Sequence, residues 1–114
     1  MNVRECYKEL GSDYEDVTQR LCDDETVLRF LKMFPDDNSF PKMIACINMG
    51  DLDGAFYAAH TLKGICQNLG FKRLNEKCEI ICDKLRDRIP VEDATLIKDI
   101  IDEYNKTIKI INML

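Results

Sequence analysis

The 114-residue sequence lacks the features that mark membrane, secreted and nucleic-acid-binding proteins. No apolar run approaches the ~18 residues of a transmembrane helix, and residues 1–5 do not begin a signal peptide. The net charge of −5 argues against non-specific binding to nucleic acid, which depends on a basic surface. We therefore expect a cytoplasmic protein with no membrane or nucleic-acid partner, and the start at Met1 favours a stand-alone chain.

The six cysteines lack the spacing of a disulfide framework or a metal site. There is no C-x-x-C pair, and Cys78 and Cys82 are four residues apart on a predicted helix, far from the single histidine. Together with Cys66 they fall near apolar stripes, which predicts small, reduced core residues. The acidic runs 23–25 and 36–37 lack the ligand spacing of a calcium loop. We expect neither a metal site nor a cofactor in this chain.

Strand patterns are absent too, since no stretch alternates apolar and polar residues. Glycine, proline and acidic caps instead divide the chain into helices. The predicted segments are Val3–Leu10, Tyr14–Leu21, a helix from Asp23 or Asp24 to Pro35, a helix capped by Ser39 and closed by Gly50, a helix from Asp51 or Asp53 to Gly70, a helix from Phe71 to the break at 88–90, and a helix from about residue 92 to residue 112. Without repeats or linkers, residues 1–114 are expected to form one domain. Its predicted fold class is all-α, an antiparallel four-helix bundle with short accessory N-terminal helices.

The helix predicted around the single histidine has an unusual outer face. At about 100° per residue its core stripe spans roughly 40° and consists of Ala58, Leu62, Ile65 and Leu69. His60 lies about 200° from Ala58, so its imidazole should point to solvent. Phe56 is expected on the same exposed side, whereas Tyr57 lies near the edge of the apolar stripe.

Three residue types at this spacing favour a chemical role. Histidine is a neutral nucleophile near neutral pH and can form a covalent intermediate. Lys63 neighbours His60 on the helix surface and can neutralise a phosphoryl group. Gly64 costs a helix interior about 1 kcal/mol relative to alanine, which suggests that another molecule approaches the helix closely.

The segment His60-Thr61-Leu62-Lys63-Gly64, preceded by Ala58-Ala59 and followed by Asn68-Leu69-Gly70, resembles the active helix of histidine-containing phosphotransfer (HPt) domains. The resemblance is tight over residues 51–86. It implies a helical bundle that accepts a phosphoryl group on His60 from a receiver-domain aspartate and passes it to another receiver. Lys63 would match the phosphate-neighbouring lysine, Gly64 the small residue that gives access, and Gln67 a polar neighbour that varies within the family.

The same resemblance implies a phosphocarrier and not an enzyme. The sequence has no ATP-binding glycine boxes and no acidic residue directly after His60, which argues against self-phosphorylation. The implied partners are response-regulator receiver domains, with a hybrid histidine kinase as a further candidate, and Mg²⁺ is expected on the receiver. We expect a monomer.

Partner docking is predicted at Phe56, Tyr57 and Gln67, because exposed aromatic residues beside a reactive group suit a partner surface. An alternative is a non-catalytic helical adaptor that uses Phe56 and its neighbours only to bind a signalling partner. The intact His60, Lys63 and Gly64 argue against it. A metal-binding bundle is disfavoured because facing helices lack carboxylate and histidine pairs.

Overall fold

The computed structural model describes residues 1–114, and its regular secondary structure is entirely helical. Seven α-helices and one 3-10 turn follow in the order α1 (Val3–Leu10), α2 (Tyr14–Leu21), α3 (Asp24–Met33), the turn (Phe34–Asp36), α4 (Ser39–Met49), α5 (Leu52–Leu69), α6 (Lys72–Arg86) and α7 (Ala94–Ile111). The predicted all-α fold is confirmed, and the helix ends agree with the predicted ones to within two residues. None of these helices is both long and apolar enough to cross a membrane.

Helices α4 to α7 form the four-helix bundle, and α5 is its most extensively packed member. It lies against α4 on one side and α6 on the other, while α7 packs on α6. The links between α4, α5 and α6 are so short that each helix must run antiparallel to the one before it. The accessory helices α1 to α3 contact α7 and α5, so they cover the bundle and do not extend it.

One cluster of 30 buried hydrophobic residues connects all seven helices. An aromatic group within it joins the accessory region to the bundle: the Phe34 ring lies 5.0 Å from Phe71 and 5.8 Å from Tyr104. Tyr104 also stacks on Phe40 with ring centroids 3.8 Å apart, which ties α7 to α4. Such pairs contribute beyond the apolar area that they bury. The turn after α3 is thereby fixed to the core.

Most helices begin where an aspartate or asparagine side chain accepts hydrogen bonds from the first turn, as at Asn2, Asp13, Asp23, Asp51 and Asp93. The expected Ser39 cap of α4 is wrong. Ser39 is the first helical residue and is buried, and its amide donates to Asp37 Oδ1 at 2.9 Å. The preceding Asn38 makes no side-chain cap bond. Pro41 has no amide hydrogen, so this first turn offers one donor fewer for a cap to satisfy.

The tight turn between α5 and α6 is held by the N-terminal helices. Gly70 has a φ of +72°, and a side chain there would contact Val17 of α2. Tyr7 donates a hydrogen bond from its hydroxyl to the Leu69 carbonyl at 2.7 Å, and Arg20 donates to the Asn68 carbonyl at 3.2 Å. These carbonyls belong to the last turn of α5, where no intrahelical donor remains. Burial raises the pKa of the Tyr7 phenol, which therefore stays a donor.

All six cysteines are free, and five of them are buried, including the predicted core residues Cys66, Cys78 and Cys82. Burial raises the pKa of Cys66 to about 12 and that of Cys6 to about 11. A thiol that stays protonated is a poor nucleophile. The five buried cysteines act as small packing residues.

We predict that Tyr7→Phe lowers the free energy of unfolding by about 1–3 kcal/mol, because the ring is kept while the buried Leu69 carbonyl loses its donor. Urea denaturation measures the change. Tyr57→Phe is the matched control: this ring is 72% exposed, and its stability should change by no more than about 0.5 kcal/mol. Equal stability of Tyr7→Phe and the unmodified protein would contradict the role given to this bond.

Candidate functional site

Helix α5 carries the single histidine and has a small-residue inner face. The Asp51 carboxylate accepts a hydrogen bond from the Gly54 amide at 2.9 Å and begins the helix. Ala55, Ala58 and Ala59 are each no more than 2% exposed. Because alanine adds so little bulk, α4 and α6 can pack close to the α5 backbone. Only one stripe of α5 remains in contact with solvent.

The side chain of His60 is exposed on that stripe, as its helical phase predicts. Lys63 is half-buried, and both Gly64 and Gln67 are exposed. A Cβ atom built on Gly64 would meet no heavy atom within 4 Å. The predicted group of a histidine, a cation, an amide and an open backbone therefore lies together on one surface.

The exposure of Phe56 and Tyr57 is the reverse of the predicted one. Phe56, predicted to be exposed, is half-buried and packs against the core, whereas Tyr57, predicted near the core edge, is 72% exposed. The buried residues Ala59 and Cys66 shift the centre of the buried face by about 40° toward α6. This rotation brings Phe56 to the α5–α6 seam and turns Tyr57 to solvent.

Phe56 lies between His60 and a residue of α6. Its ring stacks on the imidazole with centroids 5.9 Å apart and an interplanar angle of 25°. The guanidinium of Arg86 lies 5.9 Å from the centre of the same ring and forms an ion pair with Asp83 at 2.8 Å. The Arg86–Phe56–His60 stack thus links α6 to the histidine through the Phe56 ring.

The sequence analysis did not predict Arg86 as a site residue, although the hairpin of α5 and α6 indicates its position near Phe56. In an antiparallel helical hairpin, residues equally distant from the turn lie side by side. Phe56 and Arg86 are almost equally far from the Gly70–Phe71 turn, and the Asp53–Arg88 ion pair at 2.8 Å follows the same pairing.

Beneath this surface, α6 contributes thiols to the seam. Cys78 donates from its sulfur to the Ala59 carbonyl at 3.2 Å. The neighbouring Cys78 thiol and the nearby charges of Lys63 and Arg86 lower the pKa of Cys82, while the Cys82 thiol and burial raise the pKa of Cys78. Lys63 therefore lies close enough to α6 for its charge to act on the seam.

The α5–α6 seam borders one edge of the exposed stripe of α5. An apolar groove of about 530 Å³ borders the other edge, between α3 and α5. We call it the α3–α5 groove; its lining residues are Phe30, Met33, Phe34, Asp36, Asp37, Ile65, Asn68 and Leu69. Asn68 is one helical turn beyond Gly64, so the groove adjoins the stripe that bears His60. Phe30 and Met33 are 38% and 57% exposed. The sequence reading did not find this groove, because it depends on how α3 crosses α5.

Comparison with known proteins gives one family match. The family model described as the Hpt domain matches residues 37–107, which include α4, α5 and α6 and most of α7. No significant match was found among curated proteins or among solved structures. The accessory helices α1 to α3 lie outside the matched range.

We predict that Gly64→Ala raises the free energy of unfolding by up to ~1 kcal/mol, because the new methyl group enters open space and improves helix propensity. Gly54→Ala is the matched control on the same helix. There the methyl group would collide with the Asp51 carboxylate and approach the Cys46 sulfur to 2.9 Å, so no gain is expected. Thermal denaturation of both variants measures the two changes in stability. A Gly64→Ala protein with a lower melting temperature than the unmodified protein would be inconsistent with an open surface at this position.

Proposed function

Because this chain belongs to the Hpt domain family, we propose that His60 carries a phosphoryl group between receiver domains in a phosphorelay. Hpt domains act as phosphocarrier modules in two-component signalling, where they interact with receiver domains and kinases. The observation that carries the assignment is the exposed imidazole next to Lys63 and the open Gly64 backbone, within the matched segment.

The proposed step is an in-line displacement at phosphorus. A neutral imidazole nitrogen of His60 attacks the aspartyl phosphate of a receiver, so a nitrogen–phosphorus bond forms while the bond to the aspartate oxygen breaks. The aspartate leaves as a carboxylate. Mg²⁺ on the receiver stabilises the charge on the transferring group. The reverse step on another receiver regenerates His60.

The chain's own contribution is position and positive charge. Lys63 has a half-buried side chain beside His60 and supplies a cation to the phosphoryl oxygens. Gly64 lets a receiver approach the helix backbone without a side chain in between. Both substrate sites, the aspartyl phosphates, belong to partner proteins, which fits a carrier.

The receiver footprint extends beyond the histidine. A standard interface covers about 800 Å² on each partner, far more than one imidazole provides. Tyr57 and Gln67 are exposed next to His60 and belong to the proposed docking surface. Phe56, whose half-buried ring stacks on the imidazole, lies at the border of this surface and contributes little area to it. The apolar α3–α5 groove continues this surface, and Asp36 and Asp37 at its rim favour a partner with basic residues there.

The remaining parts of the assignment rest on the sequence. We propose a monomeric, cytoplasmic protein of one domain over residues 1–114, with a hybrid histidine kinase as the source of the phosphoryl group.

The central test is incubation of the protein with a phosphorylated receiver domain, followed by detection of acid-labile phosphate. We predict that His60→Gln abolishes labelling and lowers the free energy of unfolding by no more than about 1.5 kcal/mol, since the side chain is exposed and loses only its stack on Phe56. Lys63→Ala should slow labelling without stopping it, because a half-exposed cation contributes modestly in water.

Two outcomes of that test would overturn the proposal. Full labelling of His60→Gln would move the phosphorylation site to another residue. Absence of labelling in the unmodified protein, combined with tight binding of the same receiver, would instead support the non-catalytic adaptor.

We predict that Met33→Gln weakens receiver binding about tenfold. A methionine that the receiver buries contributes about 1.5–3 kcal/mol to binding, and the glutamine amide does not recover this energy. Calorimetric titration with a receiver domain that labels the protein measures this effect. Met113→Gln is the matched control, since Met113 is 48% exposed and follows α7, which packs mainly on α6 and α1. Equal losses in both variants would remove the groove from the docking surface.

A further inference from the structure

The imidazole of His60 is oriented by a ring stack that the family assignment does not account for. Phe56 precedes His60 by one helical turn, and the centroid distance of 5.9 Å lies within the range of favourable aromatic pairs. Their interplanar angle of 25° means that the two ring planes are nearly parallel. Rotation of His60 about its side-chain bonds would break this contact.

Phe56 is itself fixed, which distinguishes it from a loose surface ring. Its half-buried side chain packs against the core. Arg86 lies 5.9 Å from the ring centre, within the reach of a cation–π interaction. The Asp83 carboxylate holds Arg86 from the preceding turn of α6 at 2.8 Å. The stack therefore begins on a packed helix and ends on the exposed histidine.

We infer that Phe56 is a positioning residue, which holds the His60 imidazole in one rotamer for transfer, and that Arg86 acts on His60 through Phe56. This inference rests on the proposed function of His60. A free histidine on a helix samples about two χ1 and two χ2 states, so one productive rotamer is occupied about a quarter of the time. The stack keeps His60 in the productive rotamer before the receiver binds, so the transfer rate is not reduced by the time spent in the other rotamers.

The first measurement requires no phosphoryl transfer. In the proton NMR spectrum, the ring current of Phe56 should displace the signals of the carbon-bound protons of the His60 imidazole. Phe56→Leu should remove that shift, and Phe56→Tyr, which keeps the ring, should retain it. Leucine also keeps an apolar side chain at the half-buried position, so the fold is preserved, as a melting curve will check. Unchanged His60 signals in Phe56→Leu would overturn the inference.

The second measurement separates positioning from docking. Phe56→Leu should slow labelling by a phosphorylated receiver about fourfold in kcat with KM unchanged, and Phe56→Tyr should restore the rate. Labelling by phosphoramidate, a small donor that needs no docking surface, should slow by the same factor. A raised KM with normal kcat and normal phosphoramidate labelling would identify Phe56 as a docking residue and refute positioning.

Arg86 is tested by a double-mutant cycle. Arg86→Gln should slow labelling in the unmodified background and have no further effect when Phe56 is already leucine. A further loss in the Phe56→Leu background would contradict action through Phe56. If neither donor labels the protein, the proposed function fails, whereas the NMR comparison still decides whether the stack orients His60.

Discussion

Close packing along the inner face of α5 determines how the rest of the molecule is arranged. Ala55, Ala58 and Ala59 allow α4 and α6 to approach the helix from two sides, and α2 and α3 contact it as well. With so many neighbours, α5 cannot rotate without moving bulky residues into the core. The direction in which His60 points is therefore set by the alanines on the opposite face. A larger residue at any of them would have to displace α4 or α6 or rotate α5.

The arrangement separates the residues that stabilise the fold from those that face a partner. The core of 30 buried residues supplies the hydrophobic stabilisation, while His60, Gly64 and Gln67 are exposed and belong to none of it. Gly64 even opposes stability, since glycine in a helix interior costs about 1 kcal/mol relative to alanine. Tyr7 and Arg20 stabilise the C-terminal end of the same helix by hydrogen bonds to its last carbonyls. A well-anchored helix can tolerate an unfavourable residue at the position where access is needed.

Periodicity predicted most of the fold and the orientation of His60, because His60 lies about 170° from the centre of the predicted stripe and still about 150° from the centre of the observed buried face. Phe56 and Tyr57 are more sensitive, since the shift moves Phe56 from about 150° to about 110° from the centre and Tyr57 from about 110° to about 150°. A shift of about 40°, caused by small residues packing on α6, exchanged their environments. Arg86 and the α3–α5 groove depend on which helices become neighbours. That information lies in tertiary packing and not in the local pattern of one helix.

The two sides of His60 differ in a way that bears on the proposed transfer. Toward α6 lie Phe56 and the half-buried Lys63, an aromatic and cationic side that suits a phosphoryl group. Toward α3 lies the apolar groove with its acidic rim, which suits the body of a protein partner. In the proposed function, a receiver resting on the groove would bring its aspartyl phosphate across Gly64 toward Lys63, whereas the reversed orientation would face the phosphate with Asp36 and Asp37. Since in-line displacement requires one approach direction, we expect this asymmetry to favour the productive orientation in the proposed transfer.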